Sequence, residues 1–119
     1  MSKPYNLEER TFLFAKNVRD LIYKIPSSLA NTEDGKQVIR SSGSVAANYI
    51  EANEHLSGKD FDYRIKICRK EAKESHLWLN LLNTPHNKNY KEILNQLTNE
   101  AEELKKIFSS IVQKRKKLQ

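Results

Sequence analysis

Residues 39–53 read IRSSGSVAANYIEAN, with three serines, one glycine and three alanines set among Arg40, Asn48 and Glu51. Such a stretch is a flexible loop, a nucleophile motif, or a helix thinned for close packing. The flanking pattern decides. Val38, Ser42, Val45, Tyr49, Ala52 and Leu56 recur in alternating steps of four and three, with Ile39, Ala46 and Ile50 beside them. That is one face of a helix, expected over about residues 33–56. Gly43 costs roughly 1 kcal/mol against alanine in a helix interior, so close backbone approach by a neighbouring element is its expected compensation. The serine hydroxyls can bond back to the preceding turn. A nucleophile at Ser42 or Ser44 would need a nearby general base and an elbow turn, and the sequence offers neither.

Three more periodic segments surround this one. Asn6, followed three positions on by Glu9, is an N-cap and capping-box signal for a helix over about 7–25. Its stripe is Leu7, Thr11, Phe14, Val18, Leu21 and Ile25, and Pro26 stops it. Asn31 or Thr32 is placed to cap the second helix. Ser57 with Asp60 starts a third over about 59–82, whose core face carries Phe61, Ile65, Cys68, Ala72, Ser75, Leu79 and Leu82. Lys59, Lys66, Lys70 and Lys73 hold its opposite face. Tyr90, Leu94, Leu97, Ala101, Leu104, Phe108 and Ile111 give a fourth, over about 88–116. Its steady four-three rhythm is that of a coiled-coil-like seam. Four long helices with short turns are antiparallel neighbours, and the expected fold is an all-α, up-down-up-down four-helix bundle in one domain spanning 1–119.

Composition agrees with that class. The chain has 119 residues, 38% hydrophobic and 30% charged, with three glycines, three prolines and one cysteine. Turn residues are too few for an all-β fold, and a single cysteine permits no internal disulfide and suits a reducing compartment. No apolar run approaches membrane-spanning length, and the N-terminal MSKPYNLEERTF has no apolar leader core, so a cytoplasmic protein is expected. The net charge of +6 is uneven: seven basic against seven acidic side chains over 1–58, eight against five over 59–98, and six against three over 99–119. A basic second half invites an anionic partner, although basic runs are often no more than solvated ends.

The segments QVIRSSGSVAANYIEAN, KDF and KEAKESHLWLNLL together resemble the four-helix-bundle family encoded in intervening sequences of bacterial 23S ribosomal RNA genes. The likeness rests on Arg40, Ser44, Asn48 and Glu51 of the second helix, then Phe61, Glu71, Glu74, Trp78 and Leu79 of the third. The first and fourth helices match by pattern only. The common form has glycine where Ala52 stands, and a branch with EA at that point fits better. The resemblance implies a bundle that associates into a ring, typically a homopentamer, with no established enzymatic activity and no cofactor. Related accessory proteins of diversity-generating retroelements form basic pentameric barrels that engage a reverse transcriptase and nucleic acid. By that analogy the implied partners are a second copy of the chain, RNA or DNA, and a reverse transcriptase or other protein.

Three sets of residues are therefore singled out. Lys66, Lys70 and Lys73, with Lys114, Arg115, Lys116 and Lys117 at the chain's end, form the expected nucleic-acid surface. No aromatic platform interrupts these basic stretches, so contacts to phosphate alone are expected. Tyr63, Ile67, Trp78 and Leu81 make a second apolar edge on the third helix, which association between subunits would cover; the plainer reading is that Trp78 caps the bundle end. Arg40, Ser44, Asn48, Glu51 and Glu71 are expected to form a partly buried polar network that fixes register or subunit pairing. A di-metal site is not expected, because none of His55, His76 and His86 follows a glutamate by three residues. Cys68 reads as a small core residue. Phosphate-loop, Rossmann and zinc-finger spacings are absent. Two function classes remain: a non-enzymatic oligomer that binds nucleic acid, and a protein-interaction scaffold whose lysines only confer solubility.

Overall fold

The computed structural model describes residues 6–118, so the MSKPY segment and Gln119 lie outside the described residues. Four α-helices follow in order: α1 (Leu7–Lys24), α2 (Leu29–Asn53), α3 (Gly58–Leu82) and α4 (Lys91–Lys117), with a short 3-10 helix, Pro85–Tyr90, before the last. They pack sequentially as an up-down bundle, α2 on α1 and α3, α3 on α4, while α1 closes on α4 over a shorter stretch. The principal extents are 48 × 31 × 20 Å. In so thin a rod every helix keeps a solvent face.

Local chemistry sets the boundaries. Asn6 Oδ1 accepts from the Glu8 N–H at 2.8 Å and the Glu9 N–H at 3.3 Å, satisfying two orphan donors of α1. Ile25 is extended at φ −69°, ψ 151°, as the residue before a proline prefers, and α1 ends there. Helix α2 begins at Leu29, four residues before the expected Glu33, because Ser28 Oγ takes the capping role by accepting from the Asn31 N–H at 3.0 Å. Asn31 is thus inside the helix and caps nothing. Residues 39–53 are helical throughout, as the periodicity predicts. The helix stops at Asn53, short of the expected Leu56, which is left 95% exposed. Ser57 Oγ accepts from the Asp60 N–H at 3.1 Å, and Asp60 Oδ2 accepts from the Leu56 N–H at 3.1 Å, so each end of the pair closes the start of α3.

The core is one cluster along the bundle axis, with Phe14, Val18 and Leu21 of α1 against Val38 and Val45, then Ile65 and Leu79, then Leu94, Leu104 and Phe108. Burial of each large side chain contributes about 1.5–3 kcal/mol. The thin stretch of α2 faces α3 with almost no girth. Ser41 and Ser75 are fully buried, their hydroxyls 2.7 Å apart, and the Cys68 thiol reaches the Val45 carbonyl at 3.5 Å. Side chains this short touch only when two helix backbones lie close.

Gly43 meets something other than a backbone. A Cβ there would lie 3.0 Å from Nη2 of Arg19. That guanidinium donates to the Ala15 carbonyl at 3.0 Å and to the Ile39 carbonyl at 3.3 Å, stitching α1 to α2 across the glycine. At the bundle end, Asn31 and Asn87 form a buried reciprocal amide pair at 2.7 and 2.9 Å. The Pro26 and Leu82 carbonyls accept their remaining hydrogens. This pair ties the α1–α2 turn to the α3–α4 connection.

Candidate nucleic-acid interface

Lys59, Lys66, Lys70 and Lys73 are exposed on α3, on the side opposite Ile65, Cys68, Ala72 and Leu79. Antiparallel topology lays the start of α3 beside the end of α4, and so brings Lys59 and Lys66 next to the basic tail. A groove of about 550 Å³ opens there, lined by Gly58, Lys59, Asp62, Tyr63, Lys66 and Arg115. It continues into a narrower crevice between the helices, which adds Ile65, Val112 and Lys116.

Arg115 has a different role from its neighbours. Its Nε donates to Asp62 Oδ1 at 2.7 Å, Nη2 points to the Gly58 carbonyl at 3.5 Å, and the guanidinium lies 5.5 Å from the Phe61 ring centre. The hydrogen bond that Arg115 donates to Asp62 raises its pKa against the opposing effect of desolvation. Arg115 is therefore a clamp between α3 and α4, and Gly58 leaves room for it, since a Cβ there would lie 2.9 Å from Nη2. Asp60 is ion-paired more loosely, 3.7 Å from Arg64 Nε and beyond hydrogen-bond distance. Arginines thus hold both aspartates of this region. Among the described residues, Lys59, Lys66, Lys70, Lys73, Lys114, Lys116 and Lys117 form no ion pair, so this face of α3 and the end of α4 carry positive charge that no carboxylate pairs.

The polar network crosses from α2 to α3. Arg40 donates to Glu71 at 2.8 Å and to Glu74 at 3.2 Å. Asn48 Nδ2 donates to the Ser44 carbonyl and hydroxyl, each at 3.0 Å, and Asn48 Oδ1 accepts from Arg64 at 3.0 Å. Glu71 is 5% exposed. Burial pushes its pKa up, but hydrogen bonds from Arg40 and Ser44 and the charge of Arg40 outweigh that and hold it below the usual carboxylate value. Glu51 is exposed and contributes no bond to this network. Arg64 does, although sequence reasoning left it out; its i, i+4 spacing from Asp60 was the available signal. Arg64 also lies over the Tyr63 ring, 5.9 Å from its centre, which carries the network to the edge of the basic groove.

The apolar edge on α3 is discontinuous. Tyr63 is 61% exposed and Leu81 49%, whereas Ile67 and Trp78 are half-buried and Trp78 packs on the core. Eighteen residues of helix separate Tyr63 from Leu81 by about 27 Å. Tyr63 belongs spatially with Lys59 and Lys66, so an aromatic side chain does stand among the basic residues, against the sequence expectation. Leu77, one turn before Leu81 and equally exposed, joins the far end instead. Among the described residues the buried Trp78 indole N–H has no partner, a cost of about 1–3 kcal/mol.

Among the described residues no group of histidine, cysteine, aspartate and glutamate is arranged to hold a metal ion. Burial pushes the Cys68 thiol up to about 12, so it is inert at neutral pH. No helix among the described residues is long and apolar enough to cross a membrane.

No curated protein matches the chain. Among solved structures it is similar to a protein of unknown function from the S23 ribosomal protein family of Bacteroides thetaiotaomicron, known from a crystal structure at 1.70 Å resolution. The two are 27% identical with a TM-score of 0.74, and the match covers 90% of this chain and 98% of the other. The family model for 23S rRNA-intervening sequence proteins matches residues 5–110. With the model spanning nearly all of the bundle, the chain belongs to the 23S rRNA-intervening sequence protein family.

Proposed function

We propose that the protein is a non-enzymatic homo-oligomer, a pentameric ring, whose basic surface holds nucleic acid without reading its sequence. The observation that carries this reading is the uncompensated lysine surface where α3 meets the end of α4. Nearby aspartates are taken by arginines, which leaves the lysines to attract phosphate. Five copies of a +6 chain carry 5 × 6 = +30, so contacts that are weak singly act together by avidity. The apolar end of α3, with Trp78, Leu77 and Leu81, suits the subunit contact. Tyr63 does not, since covering it would bury the lysines beside it.

Light scattering coupled to size exclusion should give a mass near five times 13.9 kDa. Fluorescence anisotropy with labelled RNA and DNA should show log affinity falling by roughly 0.7–0.9 per neutralised phosphate for each tenfold rise in salt. Reversing Lys66, Lys70 and Lys73 to glutamate should weaken binding and flatten that slope with the oligomer intact. A monomer, or an oligomer with no binding at low salt, would refute the reading.

A second reading, a protein-interaction scaffold with no nucleic-acid role, is favoured by the exposed Phe12 beside an open groove between α1 and α2 near Gly43. Native purification with and without nuclease separates the two, because a scaffold keeps its partner after nuclease treatment.

A further inference from the structure

Tyr63 is placed as few exposed aromatics are. Lys59 lies four residues before it and Lys66 three after, so both flank the ring on one helix face. The ring lines the open groove with these lysines and is 61% exposed. It is also propped. Arg64 lies over it at 5.9 Å, and Arg64 is itself held by Asn48 Oδ1 at 3.0 Å and by Asp60 at 3.7 Å. An unsupported surface tyrosine would lose rotamer freedom on binding, whereas this one is already steadied.

We infer that Tyr63 is a stacking platform for an unpaired nucleobase, and that the groove between α3 and the end of α4 takes single-stranded nucleic acid in preference to duplex. The inference rests on the nucleic-acid reading above and narrows it to a substrate class. A base stacked on the ring places its own phosphate and the next within reach of Lys59 on one side and Lys66 on the other. Duplex DNA or RNA keeps its base faces inside the stack and offers the groove only phosphates. Stacking adds affinity for a single strand that lysines alone cannot supply, and it is tolerant of sequence because every base has a π-face. Asn48 and Asp60 become positioning residues that act through Arg64.

The test compares a single-stranded oligonucleotide and a duplex of equal length, both end-labelled, by anisotropy at fixed salt, with Tyr63→Ala, Tyr63→Phe and Lys66→Glu variants. A second strand carries 2-aminopurine, whose fluorescence reports stacking directly. Wild type should prefer the single strand. Tyr63→Ala should lose roughly five- to a hundredfold of single-strand affinity, with duplex affinity and oligomer mass unchanged. Tyr63→Phe should retain wild-type affinity and the 2-aminopurine signal, and Tyr63→Ala should lose that signal. Lys66→Glu should weaken both ligands and lower the salt slope. If Tyr63→Ala leaves the single-strand affinity and the stacking signal unchanged while Lys66→Glu weakens both ligands, the platform is refuted and the phosphate-binding reading stands. If wild type binds neither ligand at low salt, that reading falls and the platform with it. If Tyr63→Ala dissociates the oligomer, Tyr63 is an interface residue and the inference is overturned.

Discussion

The hydroxyls of Ser41 and Ser75 lie 2.7 Å apart, both fully buried, where α2 crosses α3. Neither serine has water to turn to: one hydroxyl donates to the other, and Ser41 Oγ also lies 3.5 Å from the Val38 carbonyl. The contact also fixes how near the helices lie, because a larger residue at either position would hold them apart.

Removing one partner strands the other. Ser41→Ala should destabilise the bundle by about 1–2 kcal/mol, since the Ser75 hydroxyl stays buried with only its own preceding turn to bond. The double variant with Ser75→Ala should cost less than the sum of the single changes. Ser41→Leu should cost about 1–3 kcal/mol or more through overpacking. Urea denaturation of wild type and the four variants (both single alanines, the double and Ser41→Leu) measures all of these.

Asn87 is a larger liability. Its amide bonds both Asn31 and the Leu82 carbonyl, and it is 1% exposed. Asn87→Ala should leave Asn31 Oδ1 without its donor and the Leu82 carbonyl with the Thr84 N–H alone, and cost about 1–3 kcal/mol. Hydrogen exchange should locate the loss at the α1–α2 turn and the 3-10 segment first.

Gly43→Ala should be neutral or stabilising by up to about 1 kcal/mol, the helix-propensity gain. The atom facing the new Cβ is the tip of Arg19, which can yield by a few tenths of an ångström, and no backbone stands in the way. A loss above about 1 kcal/mol in thermal or urea unfolding would show that the Arg19 bonds to Ala15 and Ile39 cannot adjust.

The lowered pKa of Glu71 makes stability pH-dependent. An acid whose folded pKa lies below its ordinary value of 4.5 contributes stability that is fully present above that value. The contribution is lost as pH falls through the depressed folded value. Stability should therefore drop on acidification below about pH 4.5. Arg40→Met removes the main charge holding Glu71 ionised, so it should destabilise the protein at neutral pH and flatten this acid slope. Unfolding midpoints between pH 3 and 7 for both proteins would reveal it.

The sequence by itself determined the four helices, because periodicity, N-caps such as Asn6 and Ser57, and the proline stop after Ile25 are local signals a few residues long. It also determined that residues 39–53 are a thin helix, since the apolar spacing runs unbroken through the serines. Tertiary structure alone decided what the polar side chains do. Asn31 resembles a cap until Asn87, 56 residues away, is brought against it. Arg115 resembles one more cation of a basic tail until antiparallel packing sets it on Asp62, 53 residues away. Tyr63 falls on the helical edge shared with Ile67 and Leu81, yet the end of α4 places it in a groove of lysines. Helix formation depends on neighbours in the chain, which a sequence displays. The pairing of a charged or amide group depends on which distant residue the bundle lays beside it, and that alignment comes from the packing of whole helices.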